Sequence, residues 1–121
     1  MMSFHGFKAT IAQAFNMTEY ILAITTCPNS DATPLAKRLV EARVCACVNI
    51  VSSARSIYRW KGKIVDDEES ILFIKTERTF RESLWNEIRA HHSYDVPEFV
   101  VLPIDGGSPE YLKWITENIT G

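Results

Sequence analysis

A turn at Lys61-Gly62-Lys63 constrains this chain more than any other feature, because long apolar segments flank it on both sides. Before it come Val44 to Ile50, Ser52-Ser53-Ala54 and Ile57-Tyr58-Arg59-Trp60. After it come Ile64-Val65, the acidic group Asp66-Asp67-Glu68-Glu69, and Ile71-Leu72-Phe73-Ile74. β-Branched and aromatic residues around a glycine turn are the pattern of a long β-hairpin. The serine pair marks a bulge or bend in the first arm. About 16 residues from Cys45 to Trp60 reach roughly 50 Å when extended, whereas a 100-residue domain is roughly 33 Å across. The hairpin is therefore expected to overhang its own body, with a bend at Ser52-Ser53 as the one way to shorten it.

The rest of the chain arranges itself around that hairpin. Tyr20 to Thr26 is an apolar run of strand formers ended by Pro28-Asn29. Asn29, Ser30 and Asp31 are candidate N-caps for a helix over 31–43, with Leu35, Ala36, Leu39 and Val40 on its apolar stripe and Pro34 in its first turn. Thr79 and Glu82 have capping-box spacing for a second helix that carries Phe80, Leu84, Trp85 and Ile88 and ends near His91-His92. Glu98 to Ile104 reads as a fourth long strand. Ser108-Pro109-Glu110 opens a last helix with Tyr111, Leu112, Trp114 and Ile115, and Trp114 is expected in the core. The order is β-α-β-β-α-β plus a helix, an α+β ferredoxin-like arrangement with a long central hairpin.

Helices in such a fold cover one face of the sheet, so the other face should be polar. Here Ile21 and Ala23 oppose Leu22 and Ile24, and Ile71 and Phe73 oppose Leu72 and Ile74, so both faces are apolar. An apolar open face and an overhanging edge both call for a closed homo-oligomer. Residues 1–18 precede the first strand and are expected to lie outside the domain, which then spans 19–121, with Met17 a candidate natural start.

Composition narrows the function. The net charge of −2 argues against a nucleic-acid binder. The chain shares its element order with RNA-binding RRM modules, but Ser70 to Lys75 lacks their aromatic strand signature. No stretch approaches the roughly 20 apolar residues of a membrane span. Three cysteines, Cys27, Cys45 and Cys47, without a disulfide framework point to a reducing, cytoplasmic setting. There is no Walker A, G-x-G-x-x-G or G-x-S-x-G motif, so the chain reads as a non-enzyme, the alternative being a site assembled only between subunits.

Six segments occur in order: Thr25-Thr26-Cys27-Pro28-Asn29, Cys47-Val48-Asn49-Ile50, Ser56 to Lys63, Lys75-Thr76, His91-His92-Ser93-Tyr94-Asp95-Val96-Pro97-Glu98, and Tyr111-Leu112-Lys113-Trp114. From about Tyr20 to Asn118 the chain closely resembles the CutA divalent-cation-tolerance family. The resemblance implies a ferredoxin-like, PII-like trimer and a link to tolerance of divalent metals, with copper binding in some members. Those members place a Cys at the end of strand one and two adjacent His after helix two. The histidine pair matches His91 and His92, while the thiol position is Ile24 here, with Cys27 three residues later.

Two sets of residues are candidates for function. His91 and His92 can offer imidazole to a divalent cation, copper(II) ahead of zinc, weakly and exchangeably; alternatively they simply end a helix, where cationic His is favourable. Tyr58, Trp60 and Tyr94 can line a small-ligand cleft between subunits, or act as interface anchors. Cys45 and Cys47 read as buried, reduced core residues rather than zinc ligands.

Overall fold

The computed structural model describes residues 19–119. The elements are β1 (Tyr20–Cys27), α1 (Asn29–Glu41), β2 (Cys47–Trp60), β3 (Lys63–Glu77), α2 (Arg81–His91), β4 (Val100–Pro103) and α3 (Pro109–Glu117). The four strands form one antiparallel sheet in the order β2-β3-β1-β4. The expected α+β, ferredoxin-like arrangement with a long central hairpin and a C-terminal helix is the observed one. The segment 1–18 lies outside the described residues.

The hairpin follows the sequence closely. Lys61 and Gly62 both have positive φ, 50° and 80°, the geometry with which a two-residue turn matches the twist of its strands.

 The turn joins the two arms Cys47–Trp60 and Lys63–Glu77. The register shifts between Val51 and Ala54, so the serine pair is the expected bulge, and Ser53 has a φ of 60°. The last residue of β1, Cys27, pairs with Ser70. Beyond it, from Ala54↔Glu69 to Trp60↔Lys63, the hairpin has no third strand beside it among the described residues. That two-stranded part extends roughly 20 Å and is marginal in water by itself.

Local signals were overruled at several helix and strand ends. Helix α1 starts at Asn29, two residues early, with Pro28 at its N-cap and no capping side chain. Asn29 instead turns its Oδ1 to the bulge, accepting from the Ser53 N–H at 2.9 Å and the Ser70 hydroxyl at 2.8 Å. The earlier start leaves Pro34 inside the helix rather than in its first turn. The Thr79–Glu82 capping box does not form, because Arg78–Phe80 is a 3-10 turn that runs into α2. Strand β4 keeps only Val100–Pro103 of the expected longer span. Helix α3 is capped as expected, with Ser108 Oγ accepting from the Tyr111 N–H.

The core lies between the helices and one sheet face. Ala23, Leu72 and Ile74 meet Leu35, Leu39, Leu84 and Ile88 there. Each of these apart from Leu35 is fully buried, and burying a side chain of this kind stabilises by roughly 1.5–3 kcal/mol. A second cluster, Ala46, Ile115 and Ile119 with Tyr20, Phe80 and Leu112, seats α3. Trp114 is not in the core: it stays 41% exposed and stacks on Tyr111. Cys45 is buried, whereas Cys47 is only half-buried, because Cys45 precedes β2 and does not share its alternation.

The opposite sheet face has no cover among the described residues. Register aligns Leu102 with Leu22, and Val100 with Ile24 and Phe73. Val51, Val100 and Leu102 are 48%, 45% and 43% exposed. The two-faced apolar pattern seen in the sequence is thus a property of the folded subunit.

Candidate functional site

The loop after α2 doubles back over the end of β1 and faces the overhanging hairpin. His92 holds it there. Its Nε2 lies 2.7 Å from the Thr26 carbonyl, and its Nδ1 accepts the Tyr94 N–H at 3.0 Å. Those two bonds require the proton on Nε2. The His92 ring also lies 4.8 Å from the Tyr94 ring. Tyr94 then reaches the hairpin, donating its hydroxyl to Glu69 Oε1 at 2.9 Å.

Between loop and hairpin is a cleft of about 760 Å³. Tyr58, Trp60 and Tyr94 all line it, together with Glu69, Asp95 and Glu98. Tyr94, distant in sequence, is therefore brought together with Tyr58 and Trp60. Tyr58 donates to Asp67 at 2.9 Å, which fixes its ring along the hairpin. Burial, then the bond to Glu69, holds the Tyr94 hydroxyl above the usual tyrosine range. Burial, then the charge of Glu69, raises the Glu98 carboxyl. On the other hairpin face Arg55 makes a two-pronged ion pair with Asp66 that holds its carboxyl below the usual range. In the sequence Glu69 stands out only as one of an acidic group; its place at the root of the overhang, where β1 ends, buries it.

The histidine pair is split by its hydrogen bonds. His91 Nδ1 lies 3.1 Å from the Glu87 carbonyl, one helical turn back, and 3.7 Å from Glu87 Oε1. His92 faces the cleft loop with both nitrogens engaged. Among the described residues no three His, Cys, Asp or Glu side chains converge as a metal-holding group. This donor set does not fit a resident metal centre. Cys27 is buried, and burial followed by the charges of Asp31 and Glu69 pushes its thiol up to about 11.

The element order and the sheet define a ferredoxin-like α+β protein. The family model described as CutA1 divalent ion tolerance protein matches residues 21–118, and the chain belongs to that family. The divalent-cation tolerance protein CutA of Thermus thermophilus is 46% identical over 83% of this chain and 97% of its own length. The chloroplastic CutA of Arabidopsis thaliana is 45% identical over 78% of this chain, a match that spans 53% of the plant protein. The solved structure of the PII-like protein CutA from Nostoc superposes with a TM-score of 0.78 at 33% identity, covering 82% of this chain and 96% of that one. These proteins are named for tolerance or for PII likeness, not for a reaction. No helix among the described residues is long and apolar enough to cross a membrane.

Proposed function

We propose that this chain works as a non-catalytic, cytoplasmic homotrimer that binds a small ligand in the cleft beside the hairpin, in service of divalent-cation tolerance. The observation that carries this reading is the gathering of Tyr58, Trp60 and Tyr94 around one cavity that the overhanging, two-stranded hairpin leaves open. A neighbouring copy laid against that hairpin and against the apolar sheet face would close the cleft and cover both. Three free cysteines agree with a reducing compartment. Residues 1–18 are then an extension to a domain that begins at residue 19. Light scattering on the full chain and on a 19–121 truncation tests assembly and boundary together. Both should give a trimer mass with melting temperatures within a few degrees. A monomer at micromolar concentration removes the assembly, and a truncation that unfolds removes the boundary.

A divalent cation, copper(II) before zinc, is proposed to engage His91 and His92 weakly. Coordination by both rings requires His92 to give up one of its two hydrogen bonds, which keeps the affinity low. Calorimetric titration with copper should show weak, exchangeable binding that the His91→Ala, His92→Ala double variant loses. Equal binding by both proteins takes these residues out of the site.

A further inference from the structure

The geometry points to an organic ammonium ion as the ligand class of the aromatic cleft, with Glu69 as its charge partner and Tyr58, Trp60 and Tyr94 as its walls. This rests on the cleft reading above and adds the chemistry of the occupant. Glu69 is only 6% exposed, yet it makes no ion pair among the described residues. Among the described residues its carboxylate is met by the Tyr94 hydroxyl, which donates to Oε1. A carboxylate removed from water without a cation is costly, and an incoming positive charge relieves that cost.

The lining as a whole points the same way. Asp95 and Glu98 join Glu69 there, and among the described residues no Lys, Arg or His is part of it. Lys61, at the hairpin turn, lies over the Trp60 ring at 6.0 Å but outside the lining. Two features favour an organic cation over a metal ion. The carboxylates do not converge with a third donor as a metal-holding group, and the walls are aromatic faces, which attract ammonium groups and bury their carbon bodies. The volume of about 760 Å³ lies within the roughly 300–1,000 Å³ of small-molecule sites.

The test is calorimetry on the full chain with 1,4-diaminobutane, tetramethylammonium, the neutral 1,4-butanediol, succinate, and magnesium. Glu69→Gln keeps an acceptor for the Tyr94 hydroxyl while removing the charge, and Glu68→Gln on the opposite hairpin face is the control. The ammonium ions should bind the wild type and the control alike, and at least about tenfold more weakly to Glu69→Gln, a loss of about 1.4 kcal/mol. Diol or succinate binding with silent ammonium ions overturns the charge assignment and leaves the cleft reading standing. Magnesium binding that depends on Glu69 and displaces the ammonium ions overturns it in favour of a metal. Binding of none of the small molecules overturns both readings.

Discussion

Leu102→Asp is expected to turn the proposed homotrimer into folded monomers. In the subunit Leu102 is 43% exposed on β4, opposite Leu22. An aspartate there stays hydrated in a lone subunit, so the fold should lose little. In an assembly that covers the apolar face the same carboxylate is buried without a partner, which costs several kcal/mol. The burial of leucine, roughly 1.5–3 kcal/mol, is lost as well. Dissociation should therefore strengthen by at least about a hundredfold. Trp60→Ala should act in the same direction from the hairpin tip, by about 2 kcal/mol or more if Trp60 is an interface anchor. Light scattering gives the mass and circular dichroism the fold. An unchanged trimer mass for Leu102→Asp would show that the open face is covered by something other than a second copy.

A second large effect is expected at alkaline pH. Burial, then the Asp31 and Glu69 charges, pushes the Cys27 thiol from about 9.0 up to about 11. Burial, then Cys47, pushes Cys45 up to about 12. The Tyr94 hydroxyl is raised by burial and by Glu69, and Tyr58 by its bond to Asp67. In every case the folded chain holds the proton more tightly than the unfolded chain. The stability this contributes is fully present below the unfolded pKa near 9 and is lost as pH rises through the folded values. For the two buried thiols each unit of separation is worth up to about 1.4 kcal/mol, against a total of roughly 5–15 kcal/mol for a domain. The melting temperature should thus fall by more than about 10 °C between pH 8 and pH 11. Cys45→Ala should flatten the decline. A melting temperature flat to pH 12 would mean that the folded chain holds these protons no more tightly than the unfolded chain.

Much of the fold was legible because its signals are local or periodic. The turn at Gly62, the bulge at Ser52-Ser53 and the Ser108 cap all lie where their residues put them. The failures have a common cause, which is competition from distant groups. Asn29 is a good cap by itself, but the bulge and Ser70 claim its side chain. Thr79 meets a 3-10 turn rather than a helix start. Trp114 belongs to a helix whose fully buried side chain is its neighbour Ile115.

The sequence by itself determined the order of elements, the two apolar sheet faces and the length of the hairpin, since alternation and run length are properties of neighbours along the chain. It also singled out Tyr58, Trp60 and Tyr94. Only the tertiary structure decided that these three share a cavity, that His92 spends both nitrogens holding the loop, and that Glu69 is buried rather than solvated. Those facts depend on where β1 stops beside β3 and on how the loop after α2 crosses it. Nothing within a few residues of Glu69 encodes either distance, so its burial appears only when the elements are packed.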